Sequence, residues 1–358
     1  MFYSLLYSLH SHYPFLNVFR YITFRAIYST LTALIISFLM GPYLIRALQS
    51  WRVGQQIREA GPQSHQIKSG TPTMGGILIL VAIIFSTLLW ADLKNRYIWI
   101  VLLATMGFGL IGFWDDYLKV IRKKSDGLRP LYKFTLQIAV AALIALALLY
   151  SPAYSSKLYF PFFKHISPNL GWFYVPFIVF MIVGASNAVN LTDGLDGLAI
   201  GPIIVTSIAY LIVAYVSGNH KFAEYLLIPY IEGSGELSVF CGAIVGASLG
   251  FLWYNAYPAT VFMGDVGSLP IGGALGTVAI VSKHELLLLL VGGIFVIEAL
   301  SVITQVISYK TRGKRVFLMS PIHHHFELKG WHESKVVVRF WIIAIILALL
   351  SLSTLKLR

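Results

Sequence analysis

Five of the seven aspartates in this 358-residue chain fall in three short polar patches, each at the end of a long apolar run. The patches are Trp114-Asp115-Asp116-Tyr117, Asn190-Leu191-Thr192-Asp193-Gly194-Leu195-Asp196-Gly197 and Gly264-Asp265-Val266-Gly267-Ser268. A carboxylate beside hydrocarbon costs roughly 2.5–3.5 kcal/mol at a helix centre on insertion scales, and a bound cation is the obvious compensation. Asp115 and Asp116 are adjacent and repel each other unless a cation or proton intervenes. Mg²⁺ with a diphosphate suits such a pair, because it takes one or two carboxylates together with phosphate oxygens and water. The pattern points to metal-dependent chemistry on a phosphorylated substrate at a membrane surface.

The second patch places Asn190, Asp193 and Asp196 three residues apart, on one face if the segment is helical. Gly194 and Gly197 flank Leu195 and permit tight turns and close backbone approach. Backbone N–H groups exposed there would hold a uracil edge or phosphate oxygens; the alternative is a cap and turn before the next helix. In the third patch Asp265 is the only acid between Glu236 and Glu285. It follows Asn255 and Phe262, and Phe262 is either a stacking platform for a flat base or an interfacial anchor. His323, His324 and His325 are consecutive and cannot all face one way on a helix. Adjacent ligands lack the separated spacing of zinc sites. Imidazoles contacting a diphosphate fit better. Lys68 and Thr73 lie in a flexible-looking KSGTPTMGG segment that is not a Walker A loop. Lys133 opens an apolar run and would counter phosphate charge. Glu298 and Gln305 sit inside another run, where polar groups line a cavity or bond between helices.

The elements that must position these residues are membrane helices. Hydrophobic residues make up 57% of the chain and charged residues 12%, and the mean hydropathy is +0.76. Soluble proteins of this size carry about twice that charge. Apolar runs predict ten spans, at Ile22–Ile45, Met74–Trp90, Tyr97–Phe113, Phe134–Tyr150, Phe173–Val189, Leu198–Val216, Leu237–Trp253, Leu269–Val281, Leu286–Ser308 and Val336–Leu355. The eighth is short and Gly-rich. The expected fold class is an all-α polytopic membrane protein, with residues 1–358 forming one integral domain.

Most loop cations fall in the odd-numbered loops, whereas the even-numbered loops hold only Lys94, Arg96, Lys157, Lys164, Lys221 and Lys283. By the positive-inside rule the odd loops are cytoplasmic and both termini lie outside. All three aspartate patches and the histidine run then fall at the cytoplasmic face. The N-terminal stretch lacks the early basic residue and small-residue cleavage site of a signal peptide. Cys241 is the single cysteine, so no internal disulfide forms. The net charge of +12 is spread over membrane loops, which argues against nucleic acid as a partner and for anionic lipid or phosphate.

TPTMGG, FWDDYLK, NAVNLTDGLDGLA, NAYPATVFMGDVGSL and PIHHHFE together resemble the polyprenyl-phosphate N-acetylhexosamine-1-phosphate transferases over essentially the whole chain. PIHHHFE favours the branch with a muramoyl-pentapeptide donor. The resemblance implies transfer of phospho-N-acetylmuramoyl-pentapeptide from its UDP carrier to undecaprenyl phosphate, giving lipid I and UMP, with Mg²⁺ as cofactor. It implies a homodimer in the bacterial inner membrane, embedded in membrane lipid. Asp115, Asp116, Asp265 and His324 match the family's catalytic positions, with Asp265 as metal ligand. Lys68, Thr73, Lys133, Asn190, Asp193, Gly194, Leu195, Asp196, Asn255, Phe262, Gln305, His323 and His325 are the expected substrate-side positions. The competing readings are the same chemistry on an N-acetylglucosamine donor, and a membrane transporter. Against the transporter, no internal repeat is evident and the acids cluster at one face.

Overall fold

The computed structural model describes residues 2–50, 70–120, 122, 127–150, 154–163 and 166–356. Among these, α-helices dominate, and isolated β-bridges pair Lys157 with Asn169 and Phe160 with Phe163. In chain order the helices are α1 (Phe2–Ser8), α2 (Ile22–Ser50), α3 (Gly76–Trp90), α4 (Arg96–Val120), α5 (Pro130–Leu149), α6 (Tyr174–Thr192) and α7 (Ile200–Ser217). Then follow α8 (His220–Leu226), α9 (Leu237–Asn255), α10 (Asp265–Val281), α11 (Leu287–Val291), α12 (Gly293–Arg312), α13 (Ile322–Leu328) and α14 (Glu333–Ser353). Helices prevail because hydrocarbon offers no partner to a bare N–H or C=O, so each spanning segment must satisfy its own backbone. Side-chain hydroxyls inside the spans follow the same rule: Thr105 Oγ1 donates to the Val101 carbonyl and Thr277 Oγ1 to that of Gly273.

Among the described residues eight helices are long and apolar enough to cross a membrane, and the protein is a multi-pass membrane protein. The helices α3 and α10 are shorter. Seventeen residues of α10 rise only about 25 Å, less than the ~30 Å hydrocarbon core. Every residue from Val266 to Val281 is nevertheless buried, because α10 packs against α4, α6 and α3 and meets protein rather than lipid. This explains the short, Gly-rich eighth run: small residues admit close neighbours, and a central helix need not match the bilayer. The predicted ninth span is not continuous. It breaks at Gly292 into the five-residue α11 and the twenty-residue α12.

The connectivity brings the C-termini of α4, α6 and α9 and the N-termini of α3, α5, α7 and α10 to one end of the bundle. All three aspartate patches lie there. The opposite end is closed by buried ion pairs. Arg25, at the start of α2, donates from Nη1 and Nη2 to the two carboxylate oxygens of Glu236 at 2.7 and 2.6 Å, and Glu236 also accepts the Asp92 N–H. Lys283, fully buried after α10, donates to the Tyr174 hydroxyl at 2.8 Å, and that hydroxyl donates to Glu285.

Removing one partner of a buried pair strands the other, at a cost of about 3–5 kcal/mol, whereas replacing both with apolar residues of similar volume is often neutral. Glu236→Ala is therefore expected to lower the melting temperature of the purified protein in detergent sharply. The double variant Arg25→Met/Glu236→Leu should recover most of that loss.

Candidate active site

The C-terminus of α4 and the N-terminus of α10 meet closely: a Cβ added at Gly112 would collide with the Asp265 carbonyl. Asp115 and Asp116 are consecutive on α4, so about 100° of helical rotation separates their side chains. Asp115 accepts the Leu128 N–H at 2.7 Å and pairs with Lys119, one turn on, at 2.6 Å, and with Lys133 from α5 at 3.3 Å. Asp116 points the other way and accepts the Val266 N–H at 2.9 Å. It thereby caps α10 from another helix, satisfying one of the donors that every helix N-terminus leaves open. Gly264, just before α10, has φ +72°, and a Cβ there would lie 2.6 Å from the Asp116 carboxylate. Only glycine permits both the turn and this approach.

Asp265 opens α10 and completes the cluster. It takes Lys133 at 2.7 Å, Lys119 at 2.9 Å and the Asn190 side-chain amide at 2.7 Å. One oxygen from each of Asp115, Asp116 and Asp265 lies within 4.8 Å of the others. Three carboxylates against two ammonium groups leave an excess of negative charge, at a helix N-terminus that favours it. An all-oxygen donor set of this kind fits a hard divalent cation, with the vacant positions left for phosphate oxygens and water. Lys119 was not singled out from the sequence; its i,i+4 spacing from Asp115 in FWDDYLK was the available signal.

A short backbone ladder fixes the third patch to the TPTMGG segment. The Phe262 N–H donates to the Pro72 carbonyl, the Gly75 N–H to that of Phe262 and the Gly76 N–H to that of Met263, each at 2.8 Å. Met74, with φ +70°, makes the turn that presents these N–H groups. Phe262 is left half-buried at the edge, whereas Thr73 is buried beside Gly264. Lys68 lies outside the described residues.

The second patch divides into two roles. Asn190 donates to Asp265 and, at 2.8 Å, to the Ser268 hydroxyl, so it belongs to the carboxylate cluster. Asp196 and Asn255 are engaged in holding loops together. The Asp196 carboxylate accepts the Ala259 N–H and its own N–H donates to Glu333, while Asn255 accepts the Gly197 N–H and donates to the Val261 carbonyl. Trp341 donates to the Gly197 carbonyl, and Leu195 packs into a small core with Val336 and Val337. The second patch therefore folds back on the third and on α14.

The three histidines point three ways. His323 is 1% exposed and its Nδ1 lies 3.1 Å from Glu298 of α12. His324 pairs with Glu327 at 2.7 Å and stays half-buried. His325 accepts the Leu318 N–H through Nδ1. Gln305 is also engaged: its amide oxygen accepts the Val316 and Phe317 N–H groups and its nitrogen donates to the Phe317 carbonyl.

Over residues 98–283 the sequence matches glycosyl transferase family 4, and over residues 68–80 it matches phospho-N-acetylmuramoyl-pentapeptide-transferase signature 1. It is 60% identical over 358 residues to the phospho-N-acetylmuramoyl-pentapeptide-transferase of Citrifermentans bemidjiense, with both chains covered completely. The proteins of the same name from Syntrophus aciditrophicus and Desulfatibacillum aliphaticivorans are 60% and 62% identical, again over the whole of both chains.

Burial pushes the Asp193 carboxyl up to about 8, and the charges of Asp265 and Asp196 add to the shift. The neutral form of Asp193 is thus favoured at pH 7, and the carboxyl ionises as the pH rises through about 8. Infrared difference spectra between pH 6.5 and 9.5 should show a protonated carboxyl band that disappears at the higher pH. That band should be missing in Asp193→Asn.

Proposed function

This chain belongs to glycosyl transferase family 4, and we propose that its reaction runs at the junction of α4, α5 and α10. It transfers phospho-N-acetylmuramoyl-pentapeptide from its UDP-linked donor to undecaprenyl phosphate, producing lipid I and UMP. The observation that carries the proposed site is the convergence of Asp115, Asp116 and Asp265 within 4.8 Å, with Lys119 and Lys133 between them. A transporter would have no use for such a cluster at one end of the bundle rather than near its middle.

Phosphoryl transfer is mostly positioning and charge neutralisation. Mg²⁺ bound at Asp265, with Asp115 and Asp116 beside it, would supply Lewis-acid neutralisation of the diphosphate oxygens. Lys119 and Lys133, whose ammonium groups lie at the same cluster, would take up charge on departing UMP. A phosphomonoester has a second pKa of about 6, so the acceptor is mostly dianionic at neutral pH and attacks without losing a proton. Asp116 is committed to the Val266 N–H and Asp115 to the Leu128 N–H. Both are therefore assigned to positioning rather than to proton removal. Asn190 holds Asp265 in register. His324, kept in place by Glu327, is assigned to contact with the acceptor or the diphosphate. Asp193, Gly194 and Phe262 are assigned to the nucleotide side, with Thr73, Leu195, Asp196, Asn255, Gln305, His323 and His325 in supporting roles, and Lys68 keeps the substrate-side role that the family resemblance gives it.

The same reading orients the protein. Nucleotide-activated donors are made in the cytoplasm, so the aspartate end faces inward, both termini face the periplasm and the membrane is the bacterial inner membrane. Homodimerisation is proposed on family resemblance alone.

Substrate-dependent UMP release by the purified protein in detergent tests the assignment. Asp265→Asn should lower kcat on the order of 10²–10³-fold, the size of loss typical when one electrostatic stabiliser is removed. The melting temperature should stay near that of the parent protein. Normal turnover in this variant would overturn the role given to Asp265. A donor carrying N-acetylglucosamine in place of the muramoyl-pentapeptide should release little UMP.

A further inference from the structure

Glu298 lies in the second turn of α12, fully buried in an otherwise apolar stretch. A lone carboxylate there is expensive, and His323 is its one charged or ionisable neighbour within pairing distance among the described residues. The two side chains are 0% and 1% exposed. A Glu298 carboxylate oxygen lies 3.1 Å from His323 Nδ1, within hydrogen-bonding distance, which fixes the rotation of the ring. The opposite nitrogen, Nε2, is buried and makes no hydrogen bond. It is pressed against Gly194: a Cβ added at that glycine would collide with Nε2 and with Cε1 of the ring. Glu298, His323 and Gly194 thus stand in line, from α12 through α13 to the loop that carries Asp193.

We propose that Glu298 is a positioning residue for the donor nucleotide, acting through His323 on the Asp193–Gly194 turn. The His323 ring is the floor under that turn, and Glu298 sets the height and tilt of the floor. The Gly194 N–H donates to the Thr192 carbonyl at 2.9 Å and hydrogen bonds at Asp193, Asp196 and Gly197 tether the turn on either side, while the His323 ring packs under Gly194 itself. Glycine is required at position 194 because the imidazole occupies the space of a side chain. The other two histidines of the run have separate tethers, Glu327 for His324 and the Leu318 N–H for His325. The His323 ring also packs on that of His324, with centroids 4.1 Å apart, but His324 keeps its own tether, so loss of Glu298 is expected to act mainly on the donor side. This inference rests on the donor-binding role proposed for the Asp193–Gly194 turn.

The test is steady-state kinetics of the full chain, with UMP release followed while donor and acceptor are varied separately. Wild-type turnover establishes the reaction independently of what the variants do. Glu298→Met keeps the volume and removes the acceptor; it should raise the donor KM about tenfold while the acceptor KM stays within about twofold, the pattern of lost binding rather than lost chemistry. Glu298→Gln, whose amide oxygen still accepts from Nδ1, should stay within about threefold of wild type on both constants. His323→Ala should raise the donor KM similarly, and the double variant Glu298→Met/His323→Ala should be no worse than the poorer single variant, because the pair works as one unit. The inference is overturned if Glu298→Met leaves the donor KM unchanged, if both KM values rise together, or if the double variant is additive. Should Glu298→Met fail to fold, the comparison of Glu298→Gln with Gly194→Ala decides. Gly194→Ala must show the selective donor defect, and a proportional rise in both constants would reject the proposal.

Discussion

Negative charge held inside a low-dielectric bundle must be compensated, and that requirement organises both ends of this molecule in different ways. At the far end the compensation is complete. Arg25 meets both oxygens of Glu236, and Lys283 is enclosed by Tyr174, Tyr154 and Glu285. At the aspartate end it is deliberately incomplete: Asp115, Asp116 and Asp265 outnumber Lys119 and Lys133. A closed pair holds helices together, whereas an excess of carboxylate oxygens attracts a cation and the phosphates that come with it. The distinction between a structural and a chemical cluster is therefore one of charge balance.

The rest of the fold keeps this excess in place. Central α10 brings its N-terminus to the cluster because it is short, small-residued and shielded from lipid on all sides. Asp116 caps that N-terminus, so the helix and the site are anchored by the same contact. The backbone ladder from residues 72–76 to Phe262 and Met263, and the exchange of hydrogen bonds between Gly197, Asn255, Asp196 and Ala259, fasten the flanking loops. Catalysis by positioning demands such rigidity, since misplacement of a reacting group by about an ångström costs around 10²-fold.

Much of this was legible in the sequence. Apolar runs located the helices, and carboxylates at run ends identified the cluster, because charge beside hydrocarbon is rare enough to be informative. Long-range hydrogen bonding was not legible. Nothing in the local pattern says that Asp196 and Asn255 fasten two loops, or that Gln305 closes α12 onto residues 316 and 317. Both uses draw on the same polar residue types, and only the fold decides between them. The histidine run shows the same limit. Its residues were expected to diverge, but that His323 turns inward to Glu298 depends on a helix 25 residues away in sequence. The break in the ninth span did have a signal, the Gly292-Gly293 pair, which an apolar count overlooks.

The central claim is that the three-carboxylate cluster takes up a divalent cation shared with the diphosphate of the donor. Mn²⁺ is a paramagnetic substitute for Mg²⁺, and electron paramagnetic resonance of the purified protein with Mn²⁺ and the UDP-linked donor examines the claim directly. The account predicts a bound ion with hyperfine coupling to phosphorus, lost in Asp265→Asn. Binding that survives that substitution, or a bound ion with no phosphorus coupling, would contradict it.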